Sequence, residues 1–239
     1  MDLFYFEELD STNKYAKEHI EAYPDKSVIY TSKQTAGRGR LERKWNYMGE
    51  GNIYASLILK PSNRMKEVYS NLTQYLCVVL CETFEEYGVI PTIKWPNDIQ
   101  IMGKKISGIL AEGTCSKNEL KGLILGFGVN LNCDEKLLKE INQPATSLNI
   151  ETGMKIDKEK FLKTLLEKFC LRYDKFIEEG FLLIKNDYIR RAGFLNKEVT
   201  VRVFDKEFCG IAKDITDNGA LKLVDKNNNE HILLIGDIL

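Results

Sequence analysis

The chain has 239 residues, 44% hydrophobic and 29% charged, with 34 basic against 35 acidic side chains and a formal net charge of −1. That composition can fill a core and excludes extended disorder; the charge balance excludes a general polyanion binder, so any phosphate contact must come from a local cluster. Only two histidines, His19 and His231, are present, which excludes a multi-histidine metal site and argues against a Ser-His-Asp or Cys-His hydrolase.

After a short apolar start, Asp10-Ser11-Thr12-Asn13 predicts a capped helix over residues 14–20. Residues 28–31 are β-branched and read as a strand. A polar, glycine-rich loop follows from Lys33 to Asn52, and residues 53–59 alternate as a strand stopped by Pro61. Apolar positions at helical spacing cover 66–87, with Gly88 as the stop. Strands are predicted at 89–95, 99–101, 105–112 and 120–131, with short turns at Met102-Gly103 and Lys117-Asn118 that suit antiparallel neighbours. Helix returns over 157–191, burying Phe161, Leu162, Leu165, Leu166, Phe169 and Tyr173, and Gly180 divides it. From Gly193 the character changes to short strands at 198–203, 209–215, 220–224 and 231–235 between polar turns. The expected fold class is α+β: a mixed sheet flanked by helices over 1–192, followed by a small C-terminal β-barrel over 193–239.

The six cysteines contain no Cys-x-x-Cys pair and read as reduced core thiols. The N-terminus has no basic start or long apolar stretch, and no apolar run approaches the ~20 residues that span a bilayer. A cytoplasmic protein without membrane contact is expected.

Four stretches carry chemistry. Between Lys33 and Lys44 lie two lysines and three arginines against one acid, a local charge of +4. Within it, Gly37-Arg38-Gly39-Arg40 lets backbone approach a ligand while guanidinium forks grip phosphate or carboxylate oxygens; a solvated loop or an arginine-glycine segment touching nucleic acid is equally open at this point. The P-loop order is absent. In Lys94-Trp95-Pro96-Asn97-Asp98, a lysine and an aspartate bracket a rigid aromatic turn. In Gly103–Glu112, strand alternation puts Lys105, Ser107 and Ile109 on one face and Ile106, Gly108 and Leu110 on the other. Lys105 is then either a snorkelling edge lysine or a point charge held for an anion, and Gly108 clears space for a flat ligand. Gly126-Phe127-Gly128-Val129-Asn130-Leu131-Asn132 follows an apolar strand.

In this order, Ser-Thr-Asn, Gln-Thr-Ala-Gly-Arg-Gly-Arg with Arg-x-Trp, Lys-Trp-Pro-Asn-Asp, Lys-Lys-Ile-x-Gly-Ile-Leu-x-Glu and Gly-x-Gly-x-Asn-x-Asn closely resemble the biotin–protein ligases. The resemblance runs from Leu9 to the terminal strands. It implies a fold related to class II aminoacyl-tRNA synthetases and lipoate ligases, and an ATP-dependent reaction that forms biotinyl-5′-AMP and passes biotin to a lysine of a biotin carboxyl-carrier domain. Biotin and ATP are the implied substrates, with Mg2+ accompanying ATP and no protein metal site. The resemblance implies catalytic roles for Arg40, Lys105, Asp98 and Lys94. It places biotin on Ser11, Thr12, Asn13, Gln34, Arg38, Gly39, Arg40, Lys105, Gly108 and Gly126, and the nucleotide on Arg38, Arg40, Trp45, Asn130 and Lys105. Many relatives carry glycine where Glu42 stands. Only ten residues precede Ser11, so no DNA-reading domain and no DNA partner are expected; homodimerisation is a family option. The rivals are a lipoate or octanoate ligase on the same fold, and a nucleic-acid-binding module built on the 33–44 loop.

Overall fold

The computed structural model describes residues 1–41, 43–60, 68–116 and 119–239. Glu42, the Pro61 stop, the beginning of the 66–87 helix and the Lys117-Asn118 turn lie outside the described residues.

Seven strands form the main sheet: β1 (Leu3–Leu9), β2 (Ser27–Gln34), β3 (Ile53–Leu59), β4 (Pro91–Lys94), β5 (Asp98–Ile101), β6 (Lys104–Ser116) and β7 (Glu119–Val129). Their order is β1-β2-β3-β7-β6-β5-β4. The β1–β2 pair is parallel and every other pair antiparallel, so the sheet is mixed as predicted. The apolar start is itself a strand: β1 lies at the sheet edge with alternate residues exposed.

Alternation along β3 and β7 divides the molecule into layers. Ile53, Ala55, Leu57 and Leu59, with Leu123, Leu125, Phe127 and Val129, face the main core, which also contains the apolar residues of two helices. These are α2 (Leu72–Glu85) and α5 (Lys158–Glu179), the latter capped by Asp157 Oδ1, which accepts from Lys160 N at 3.0 Å. All six apolar positions predicted for the second helical stretch are buried. Gly88 and Gly180, which have φ of +77° and +68°, follow α2 and α5 where the sequence placed their stops. On the opposite face a smaller cluster of Ile29, Ile58 and Ile124 meets Ala16 and Ile20, burying α1 (Thr12–Glu18). Two helices of five residues, α3 (Glu135–Lys139) and α4 (Leu148–Thr152), are additions to the predicted elements.

The terminal strands are β8 (Glu198–Val203), β9 (Lys206–Ile215), β10 (Leu221–Val224), β11 (Glu230–Leu233) and β12 (Asp237–Ile238). The predicted barrel is corrected here: they form an open antiparallel sheet in the order β11-β10-β9-β8-β12, whose outermost strands share no ladder. Val201, Ala212, Ile215, Leu221 and Leu223 join the same core cluster as the main sheet. No helix among the described residues is long and apolar enough to cross a membrane.

The last helix before this sheet, α6 (Lys185–Arg191), is pinned to α2 by a bidentate pair. Arg191 Nε and Nη2 donate to Glu85 Oε1 and Oε2 at 2.6 and 2.7 Å, with the arginine side chain only 4% exposed. Arg191 holds the Glu85 carboxyl below its ordinary range. Removing the carboxylate leaves the buried guanidinium, among the described residues, with only Asp187, whose carbonyl accepts from Nη1 at 3.0 Å and whose carboxylate lies 3.5 Å away. Glu85→Ala is therefore expected to cost about 1–2 kcal/mol, below the figure for a fully broken buried pair because Asp187 remains and Glu85 is partly solvated. Because the folded-state pKa is depressed, this contribution is present at neutral pH and lost as pH falls below ~4. Urea unfolding of wild type and variant at pH 7 and pH 3 checks both: the difference is expected at pH 7 and shrinks at pH 3.

Candidate active site

The main sheet leaves one face uncovered near the ends of β5, β6 and β7, and the sequence floors that face with glycine. In register, Ser56 sits beside Gly126 and Gly126 beside Leu110; Gly128 sits beside Gly108 and Gly108 beside Asp98. The β5–β6 ladder slips by one residue, leaving Ile106 as an extra residue in β6. This bulge overturns the predicted alternation. Ile106 and Ile109 both face the core, while Lys105 turns onto the cleft side, its Cε within 3.0 Å of where a Gly108 Cβ would stand. A bulge re-aims a side chain in this way without ending the strand. Lys105 Nζ then meets Asp98 Oδ1 at 2.7 Å, each side chain about one-fifth exposed (18% and 19%).

A polar cluster closes one end of the cleft. Ser11 caps α1, its Oγ accepting from Lys14 N at 3.4 Å. This brings Thr12 onto β2, where Gln34 Oε1 accepts from Thr12 N at 3.0 Å and Thr12 Oγ1 at 3.2 Å. Ser56 Oγ lies 2.8 Å from Thr12 Oγ1 and 2.6 Å from Asn13 Oδ1. Asn13 Nδ2 donates to the Leu110 carbonyl and to Glu112 Oε2. A Cβ on Gly126 would overlap the Asn13 carboxamide, so glycine there lets α1 seat on the sheet.

The glycine-arginine loop folds over the other end as a narrow hairpin: Gly39 N donates to the Arg43 carbonyl at 2.7 Å and Trp45 N to the Gly37 carbonyl at 3.0 Å. The Trp45 indole lies against Gly128 and Gly108, where any Cβ on Gly128 would displace it. Lys105 Nζ stands 5.6 Å from the ring centroid. Arg38 pairs with Glu112, while Arg40 and Arg43 share Asp237. Arg38 Nη2 donates to Glu112 Oε2 at 3.1 Å. Arg40 donates to Asn97 Oδ1 at 3.3 Å and to the Gly236 carbonyl at 3.1 Å, and pairs with Asp237 Oδ1 at 3.2 Å. Arg43 Nη2 is 3.2 Å from Asp237 Oδ2, at ion-pair distance but out of hydrogen-bond alignment.

The cleft thus gathers Ser11, Thr12, Asn13, Gln34, Arg38, Gly39, Arg40, Trp45, Lys94, Asp98, Lys105, Gly108 and Gly126 in one lining. Of the predicted site residues only Asn130 stands apart: its Nδ2 donates to the Thr146 carbonyl at 3.0 Å, and it lines an adjoining hollow with Lys44, Trp45 and Lys105. Among the described residues, six cations (Arg38, Arg40, Arg43, Lys44, Lys94, Lys105) and two carboxylates (Asp98, Asp237) line the cleft. Such a surplus favours bringing two anions together.

Four contributors escaped the sequence reading. Asn97, read as turn chemistry, donates Nδ2 to the Ile109 carbonyl at 2.6 Å and accepts from Arg40. Glu112 closes its own motif, and its separation from Arg38 by 74 residues hid their pairing. Ser56 alternates with core residues on β3 and gives the signal of any half-buried strand serine. Asp237 comes from the last strand, and nothing near it in sequence marks it.

Residues 5–130 match the Biotin/lipoate A/B protein ligase family, and residues 194–239 match the Biotin protein ligase C terminal domain. The chain is 35% identical to the Bifunctional ligase/repressor BirA of Bacillus subtilis, over 92% of this chain and 69% of that one. It is 31% identical to the Biotin–[acetyl-CoA-carboxylase] ligase of Paracoccus denitrificans over 90% of each chain. A solved structure of the biotin protein ligase from Aquifex aeolicus in complex with biotin and ATP matches with a TM-score of 0.87 at 29% identity, covering 100% of this chain and 97% of that one. The glycine-floored cleft, its arginine loop and the terminal sheet thus stand in a chain that belongs to the Biotin/lipoate A/B protein ligase family.

Proposed function

We propose that the chain activates biotin with ATP and transfers it to a lysine of a biotin carrier domain of the acetyl-CoA carboxylase type. The observation that carries this reading is Lys105 Nζ, bulged onto a floor of glycines, paired with Asp98 at 2.7 Å and faced by the arginine loop. In the first step a biotin carboxylate oxygen attacks the α-phosphorus of ATP, and pyrophosphate leaves with the electrons of the broken P–O bond. Arg38, Arg40 and Lys105 offset the repulsion between carboxylate and phosphates, Gly39 lets the loop backbone approach, and Lys94 lies towards the leaving phosphates. Mg2+ arrives with the nucleotide and is held mainly by its phosphates. In the second step the carrier amine attacks the acyl carbon of the mixed anhydride and AMP leaves.

The polar end of the cleft suits a ureido ring better than the apolar dithiolane of lipoate. Ser11, Thr12 and Gln34 supply hydroxyl and amide groups there, with Gly108 clearing the approach. Asn13 is committed to Ser56, Leu110 and Glu112, so its part is to hold α1 in place, with Gly126 beneath it. Trp45 and Asn130 face the nucleotide. Residues 1–192 carry the chemistry in this reading, and 193–239 serve it. The acceptor is a cytoplasmic carrier domain, and neither DNA nor a membrane enters the reaction. A homodimer is compatible with it. Pyrophosphate exchange with biotin and with lipoate, followed by transfer to a carrier domain, tests this: exchange is expected with biotin alone, and exchange with lipoate alone or with neither would refute it.

Asp98 has a separate part in the second step. A free lysine with pKa ≈ 10.4 is neutral in only about one part in a few thousand at pH 7. Asp98 positions the incoming ammonium and helps it lose its proton. Asp98→Asn is expected to keep adenylate formation near wild type while slowing transfer to carrier about a hundredfold, the scale of a lost proton acceptor. Single-turnover measurement of each half-reaction decides it; equal losses in both would remove this role.

A further inference from the structure

The Trp95–Asp98 turn meets the cleft on one side and the terminal sheet on the other. The β9–β10 turn, residues 216–220, pushes Gly219 against α2 and the Trp95 indole. The Gly219 carbonyl accepts from Gln74 Nε2 at 2.9 Å and from Trp95 Nε1 at 3.4 Å. Asn71 Nδ2 donates to the Asn218 carbonyl at 3.0 Å and to Gln74 Oε1 at 2.8 Å. Gly219 has φ +80°, and a Cβ there would overlap the Asn71 and Gln74 amides, so both its backbone and its fit require glycine. Asn71, Gln74 and Trp95 are each more than nine-tenths buried. Behind the same turn, the fully buried Tyr188 places its hydroxyl 3.4 Å from the Pro96 carbonyl.

Two buried amides stand out at the start of α2, Asn71 just before it and Gln74 in its first turn, on a helix whose other buried positions are largely Leu, Val and Cys. Apolar contact alone would join the two sheets without burying them. A satisfied polar network does what apolar contact does not: it selects one orientation of the groups it joins. Here the oriented group is the Trp95 indole, which opens the turn carrying Asn97 and Asp98. Asn97 bonds the Ile109 carbonyl and Arg40, and Asp98 bonds Lys105.

We propose that the β9–β10 turn is a positioning element for the Asp98–Lys105 pair, with the Gly219 carbonyl and Gln74 acting through the Trp95 indole. This rests on the biotin-ligase reading of the cleft. The Thr12–Gln34 end of the cleft is built from α1 and β2 and, among the described residues, shares no hydrogen bond with this network. Loosening the turn therefore lowers the rates far more than the biotin affinity, to which Lys105 and Arg40 contribute only at the carboxylate end.

Gln74→Leu, Trp95→Phe and the double variant of the full chain test this through three readouts: biotin Kd, the single-turnover rate of adenylate formation, and the rate of transfer to a carrier domain. Each single variant is expected to lower both rates on the order of tenfold, as sub-ångström misplacement does, with biotin Kd within about twofold. The double variant is expected to be no slower than the slower single, because both act through one carbonyl. Wild-type rates with only a lowered melting temperature would show a structural tie and overturn the proposal, as would fully additive losses. Should Gln74→Leu fail to fold, Gln74→Met takes its place beside Trp95→Phe. Trp95→Phe keeps an aromatic ring but loses the N–H together with part of the buried indole, so equal rate losses in Gln74→Met and Trp95→Phe support the proposal and a loss in Trp95→Phe alone overturns it. A wild-type chain inert towards biotin and ATP would sink the ligase reading and this proposal together, whereas an active wild type with unaffected variants sinks the proposal alone.

Discussion

Lys105→Met is expected to lower biotin-dependent pyrophosphate exchange about a thousandfold. A unit charge ~4 Å from a developing phosphorane oxygen, at an effective dielectric of ~20, is worth about 4 kcal/mol, which is about three decades of rate. Methionine keeps the length and apolar stem of the side chain and discards only the ammonium, so lost packing against Trp45 and Gly108 contributes little. The neighbouring carboxylate sharpens the expectation. With Lys105 gone, Asp98 stands unpaired on the cleft floor, where it repels the incoming biotin carboxylate. Adding Asp98→Asn to Lys105→Met is therefore expected to recover part of the exchange rate, although the second step stays slow. Exchange kinetics of the four proteins of this cycle measure it. Exchange within tenfold of wild type for Lys105→Met, or a double variant slower than the single, would remove Lys105 from the first step.

That lysine also shows where sequence reasoning holds and where it stops. Helix periodicity located α5, and Gly180 divides the stretch as expected, because glycine stops and amphipathic faces are local in sequence; the Asp157 cap is an addition from the structure. Arg38, Arg40, Lys105 and Gly108 stood out because their motifs are dense in glycine and cations, types suited to close approach and charge, whereas Ser11, Thr12, Asn13, Gln34 and Asn130 entered the site only through the resemblance to biotin–protein ligases. The direction of Lys105 was not legible. Perfect alternation from Lys105 to Leu110 opposes Lys105 to Gly108, and only the slip against β5 at Ile99/Gln100 brings them to one side. A bulge is a property of two strands, and one strand's residues do not record it. The terminal sheet failed for the same reason. Four short strands and their turns were legible, but whether the outermost strands meet depends on pairing: β12 joins β8 and leaves β11 at the far edge. Asp237 went unnoticed and Asp217-Asn218-Gly219 read only as a polar turn, because the partners, Arg40 and Arg43 for Asp237 and Gln74 and Trp95 for Gly219, lie more than a hundred residues away.

Arg40→Gly is expected to leave an enzyme that makes the adenylate within about tenfold of the wild-type rate but releases it about a hundredfold faster. The guanidinium ties the loop to the rest of the site at three points: Asn97 Oδ1, the Gly236 carbonyl and Asp237 Oδ1. Hydrogen bonds to charged groups contribute about 1.5–3 kcal/mol each, and the equivalent of one or two lost from the closed loop corresponds to about two decades in the opening equilibrium. The loop then shields the mixed anhydride from water and from stray amines for less of the time. The escaping adenylate acylates any accessible lysine, so serum albumin added to the reaction is expected to become biotinylated beside the carrier domain. Asp237→Asn removes charge from two of the loop's anchors, Arg40 and Arg43, but leaves the Gly236 and Asn97 bonds, so a release rate raised about tenfold is expected, in the same direction. Radiolabelled adenylate captured outside the enzyme, together with albumin labelling, measures both. An Arg40→Gly enzyme that retains its adenylate and labels only the carrier would show that the loop plays no part in holding the intermediate.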